Sequence, residues 1–225
     1  MIVAHRLFPT PLAVGEAMIA MAFDGPLLAD LGRTLMRAMA AFCIAMVIGT
    51  GLGIALGRQA WADRLFSGWL VVGLNLPAIV VAIIFYIWLG LTETALIAAV
   101  VVNKAPLVIV TIREGVRSFS AEYEELAAAL RLDFRRRMTQ IYWPQLLPFV
   151  LASARTGLSL IWKIVLVFEV LGSDGGVGYR VSVFFQFFDV TAILAYTTSF
   201  IVVVLALEYG VLRVLERRAL AWRRA

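Results

Sequence analysis

Lys104 and Lys163 stand inside long apolar runs of a 225-residue chain, in the company of Asn103, Arg155, Ser159 and Glu169. A charged side chain in hydrocarbon costs roughly 2.5–3.5 kcal/mol on insertion scales, so it usually faces a cavity or a partner. Arg155, Ser159 and Lys163 recur every fourth residue and therefore share one face of a helix. Asn103 and Lys104 fall mid-run in VVNKAPLV, at a depth similar to that of Lys163. Two chemistries remain open for these groups. They can form a cationic lining for the passage of an anion. Alternatively, Lys104 or Lys163 can pair internally with Glu169, or a long side chain can snorkel to the interface. Glu208 lies near the end of the last run.

Other chemistry lacks material. There is one histidine, His5, and one cysteine, Cys43, within an apolar run. A histidine-based metal site, an internal disulfide and a Ser-His-Asp or Cys-His set are therefore excluded, and no cofactor is expected. No G-x4-G-K-[ST] loop occurs, so the chain has no such means of holding ATP. The expectation is a protein that is not itself an enzyme.

The elements that must position these residues follow from composition. Hydrophobic residues make up 62% of the chain and charged ones 16%, against about 25% charged in soluble domains. Mean hydropathy is +0.92. These values describe an integral membrane protein set in a lipid bilayer. Five apolar runs, at 38–57, 69–91, 94–112, 146–171 and 192–212, approach the ~20 residues that cross ~30 Å of hydrocarbon. Backbone groups in lipid must pair within the segment, which makes each run a helix. Pro77 and Pro106 should kink the second and third. Gly49, Gly51, Gly53 and Gly57 permit close helix approach in the first, without a clean G-x3-G dimer pattern. Residues 1–34 contain no run of spanning length; Leu12 to Phe23 suits an amphipathic interfacial helix. The SDGGVG stretch from Ser173 to Gly178 reads as a flexible connector into a helix over VSVFFQFF.

The net charge of +5 is organised by topology and does not call for nucleic acid as a partner. Basic residues gather at Arg58 and Arg64, between Arg113 and Arg137, and in a tail with Arg213, Arg217, Arg218, Arg223 and Arg224. The intervening loops are poor in them. By the positive-inside rule the basic side and the C-terminus are cytoplasmic, and five spans leave residues 1–34 outside.

One stretch breaks the apolar pattern. AEYEELAAALRLDFRRRMTQIYWPQLLP, from Ala121 to Pro148, places Glu122, Glu124 and Glu125 ahead of Arg135, Arg136 and Arg137. That polarity matches the dipole of one or two short helices, with Pro144 and Pro148 as their bounds. Glu125, Ala127 and Ala128, with Ile141, Trp143-Pro144 and Leu147-Pro148, resemble the EAA loop of binding-protein-dependent ABC importer permeases. That pattern is roughly E-A-A-x3-G-x9-I-x-L-P; here Leu126 replaces the second residue and Arg131 the glycine. Gly115 to Ser118 and the segment RTGLSLIWKIVLVFEVLGSDGGVGY, Arg155 to Tyr179, resemble the nitrate/sulfonate/taurine branch.

The resemblance implies an all-α polytopic fold like that of type I ABC importer permeases. It implies cytoplasmic ATPase subunits, a periplasmic solute-binding protein and a second permease copy as partners, in a bacterial inner membrane. It implies that Glu125, Ala127, Ala128, Leu130 and Arg131 belong to a helix that docks on the ATPase, within a coupling loop at 113–145. Family members usually have six spans, so a five-span chain is expected to begin after their first. The permease domain is expected at 35–225, following an outer-face segment at 1–34. A secondary transporter or channel working without ATP, or a membrane scaffold, remains the alternative at this level.

Overall fold

The computed structural model describes residues 8–212. His5 and the arginines of the C-terminal tail lie outside the described residues, so the expected orientation of that tail does too. Every regular element among the described residues is helical.

Helix α1 (Pro11–Phe23) opens with Thr10, whose Oγ1 accepts from Ala13 N–H at 3.2 Å, and with proline at its first turn. It packs against α10 (Val190–Leu207), and none of its residues is buried. Its apolar side chains run all round and Glu16 is its one charge, so it is not the amphipathic helix expected. Thirteen residues reach about 20 Å, short of a membrane span.

Helix α2 (Leu27–Arg58) starts eleven residues ahead of the first apolar run, carrying Asp30, Thr34 and Arg37 into a buried environment. The expected boundary after residue 34 therefore falls within a helix. The second run breaks at Pro77 into α3 (Ala60–Asn75) and α4 (Ala78–Leu89). Proline lacks the N–H that would continue the ladder and holds the residue before it extended, as Leu76 is at ψ 123°. Helix α5 (Glu93–Arg117) passes through Pro106 without a break. Among the described residues four helices are long and apolar enough to span, or five if α3 and α4 form one span.

The charged stretch forms α6 (Ala121–Ala129) and α7 (Phe134–Arg137). Pro144 and Pro148 do not end it, contrary to expectation. Instead α7 runs through a π-helical turn, Met138–Tyr142, into α8 (Trp143–Gly172), which contains both prolines. The wide turn includes Gln140, whose carbonyl would otherwise meet the ring of Pro144, so the loosened pitch accommodates it. Helix α9 (Val177–Gln186) precedes α10.

The chain forms two compact units. Among the described residues, one takes 8–41, Pro77–Val100 and 159–212; the other takes Phe42–Leu76 and Val101–Leu158. In the second unit, Gly49, Gly53 and Gly57 form one face of α2 against Val108, Ile112 and Val116 of α5. A Cβ on Gly53 would lie 2.7 Å from that of Ile112, and one on Gly57 2.7 Å from that of Val116. This is a clean small-residue repeat every four residues, contrary to the sequence expectation, and it serves packing within the chain. In the first unit Tyr86 donates its hydroxyl to the carbonyl of Phe168 at 2.9 Å, and Phe184 stacks obliquely on Tyr196 at 5.3 Å.

Candidate functional site

The charged stretch at α6 and α7 is fixed at its ends by hydrogen bonds. The N–H of Ser120, ahead of α6, donates to Oε1 of Gln145 at 3.2 Å. At the other end the N–H of Leu132 reaches the carbonyl of Ala127 at 3.0 Å, and that of Arg131 reaches Ala128 at 3.1 Å. This crossed pair is a Schellman cap, and its left-handed residue is Arg131 at φ 47°. The position that the family pattern gives to glycine is therefore one where the backbone itself favours glycine. Asp133 caps α7 through Arg136 N–H at 3.4 Å.

Ala127 turns inward and is 3% exposed, whereas Glu125, Ala128 and Arg131 are exposed. Leu126 and Leu130 are exposed too, as are Tyr123 and Phe134 nearby. A charged helix that leaves two leucines and a tyrosine uncovered has the pattern of one that docks in a groove. Its entry is held by ions: Asp63 at the start of α3 accepts from Arg113 at 2.9 Å and from Arg117, and Glu114 pairs with Arg113 at 2.8 Å.

The candidate path residues divide. Lys104 is 7% exposed and Asn103 half-buried, both in the second unit. Among the described residues the side chain of Lys104 has no hydrogen bond or ion pair. On α8, Arg155 and Lys163 are exposed and Ser159 is half-buried. Glu208 is half-buried, at the start of a π-helical turn, Glu208–Leu212.

Glu169 is paired with neither lysine. It is 1% exposed and its Oε1 accepts from Arg37 Nη1 at 2.7 Å. Six residues of helix place Lys163 about 120° away around α8 from Glu169, which is why the expected pair cannot close there. Thr34 donates to both carboxylate oxygens, at 2.9 and 3.0 Å, and Gly178 N–H donates to Oε2 at 2.9 Å. Arg37 also forks onto Glu93, with Nε 2.6 Å from Oε2, and donates to Gly175 O at 2.6 Å and Ser173 Oγ at 2.9 Å.

Ser173 to Gly178 is thus a fixed turn and not the flexible connector expected. Three donors that open α9 are taken: Gly176 N–H by Asp30 at 3.1 Å, Val177 N–H by Thr34 at 2.9 Å, and Gly178 N–H by Glu169 at 2.9 Å. Gly176 sits at φ 100°, and a Cβ there would collide with the Glu169 carboxylate. Asp30 further accepts from Arg180 Nε at 2.9 Å and Tyr196 hydroxyl at 3.2 Å, and this bond holds Arg180 above its ordinary pKa. Every one of these groups belongs to the first unit. The sequence signal was the spacing of Asp30, Thr34 and Arg37, which share a helical face, but they precede the run taken as the first span. Among the described residues no group of His, Cys, Asp and Glu could hold a metal.

A family model described as the binding-protein-dependent transport system inner membrane component matches residues 45–220. The chain is 26% identical over 222 residues to the putative aliphatic sulfonates transport permease protein SsuC of Bacillus subtilis (strain 168), covering 99% of this chain and 80% of that protein. It is 26% identical over 230 residues to the taurine transport system permease protein TauC of Escherichia coli (strain K12), covering 98% and 82%. A chain of the inward-facing MetNI methionine ABC transporter superposes with a TM-score of 0.74 at 16% identity, covering 86% of this chain and 95% of that one; this likeness is one of fold.

Proposed function

The chain belongs to the family of binding-protein-dependent transport system inner membrane components, and on that premise we propose that it forms the path for a small sulfonate- or nitrate-like anion in an ATP-driven importer. It is a multi-pass permease, with a fold shared by ABC importer permeases. ATP hydrolysis belongs to separate cytoplasmic subunits, a periplasmic binding protein delivers the solute, and a second copy of the permease completes the path. The basic loops face the cytoplasm. The relatives that handle aliphatic sulfonates and taurine support the class of cargo.

The observation that carries this reading is α6. It is short, closed at its C-terminal end by the Schellman bonds, and leaves Leu126 and Leu130 uncovered beside exposed Glu125, Ala128 and Arg131. A rigid helix of this kind transmits the displacement of a docked ATPase to the spans that follow it. Ala128→Glu places a bulky charge on the docking face. We expect it to uncouple ATP hydrolysis from uptake and weaken co-purification with the ATPase. Full ATPase binding together with full transport in that variant would remove α6 as the docking element.

Lys104 and Lys163 supply cations for the anion, with Asn103, Ser159 and Arg155 as polar neighbours in sequence. The pairing of Glu169 with Arg37 supports this assignment, because it leaves neither lysine needed as the counter-ion of that carboxylate.

A further inference from the structure

The ends of α2, α5 and α8 and the π-helical turn border a half-open apolar cavity of about 280 Å³ in the second unit. Ile54, Val116, Phe119, Met138, Tyr142 and Leu146 line it. Arg58 lines it as well, with its guanidinium 4.7 Å from the centre of the Tyr142 ring, and Arg137 lies 5.5 Å from the same ring. Trp143, also in the lining, is 51% exposed.

We propose that this cavity holds part of one acyl chain of an anionic phospholipid, with the phosphate at Arg58. Three observations select this occupant. The space is apolar, open on one side and at the lower end of the size range of small-molecule sites, which suits a stretch of chain that continues beyond it. It lies where three spanning helices end among basic residues, at the level where headgroup meets hydrocarbon, and Trp143 is an aromatic of the kind that anchors there. A cation beside an apolar slot complements a phosphodiester that carries net negative charge, whereas a choline headgroup brings its own cation to compete with Arg58. The π turn contributes Met138, Thr139 and Tyr142 to the lining, so the irregularity that absorbs Pro144 also shapes the slot.

The test uses the full chain in phosphatidylcholine vesicles containing equal fractions of brominated phosphatidylglycerol or brominated phosphatidylcholine. The signal is quenching of Trp143, taken as the difference between the unaltered protein and Trp143→Phe. Brominated phosphatidylglycerol should quench about fivefold more effectively, the factor expected when one basic residue favours an anionic lipid. Arg58→Gln and the cavity-filling Ile54→Phe should each abolish the preference; Arg58→Lys and Arg64→Gln should keep it. Equal quenching by the two lipids, preference surviving in Ile54→Phe, or its loss in Arg64→Gln would overturn the proposal in favour of ordinary boundary lipid, general charge or a protein occupant. No ATPase is needed, so failure here is separate from failure of the importer reading.

Discussion

Arg37 and Glu169 are 132 positions apart in sequence and meet at 2.7 Å in the interior of the first unit. Neither side chain is more than 5% exposed. Their contact converts two residues that a membrane interior would reject into a lock on the turn before α9.

Breaking this pair should be costly, because the survivor stays buried without its counter-ion, at about 3–5 kcal/mol. Arg37→Met is therefore expected to lower folded yield and thermal stability sharply. The double variant Arg37→Met with Glu169→Gln should recover part of the loss, since the uncompensated charge is gone. Thermal aggregation followed by gel filtration measures both; full stability in the single variant would refute the lock.

Gly176→Ala tests the turn. Its φ of 100° with ψ 173° is a region open essentially to glycine, where another residue costs about 1–3 kcal/mol, and the added methyl meets the Glu169 carboxylate. Gly51→Ala, with nothing within 4 Å, is the control and should be neutral. Equal melting of the two variants would show that the turn is not fixed as described.

Arg131 holds a left-handed conformation that costs a side-chain-bearing residue about 1–2 kcal/mol. Arg131→Gly should stabilise the end of α6 and leave uptake at or above its original level. Arg131→Val should weaken ATPase association, because β-branching makes that backbone worse. A loss of ATPase binding in Arg131→Gly would show instead that the guanidinium itself contacts the partner.

Lys104→Gln and Lys163→Gln should lower uptake while leaving yield intact. Glu169 is already satisfied by Arg37 and Thr34, so neither change strands a buried carboxylate. Normal uptake in both variants would remove the lysines from the path; reduced yield would show a structural role for them.

The helices around the spans, the break at Pro77 and the helical character of the charged stretch were legible in the order of residues. Each depends on local physics: lipid forces backbone pairing within a segment, proline removes a donor, and Ala, Leu and Glu favour helix. The departure at Arg131 was visible as well, though only the backbone angle explains why glycine suits that position. What the chain order could not disclose is which helical faces meet. Gly49, Gly53 and Gly57 needed α5 opposite them to become a packing face, whereas the 120° that separates Lys163 from Glu169 follows from helical spacing alone. The partner of Glu169 lay on another helix, ahead of the run that hydropathy marked as the first span. Such contacts depend on how distant helices turn toward one another, which local periodicity does not contain, so tertiary structure alone decided them.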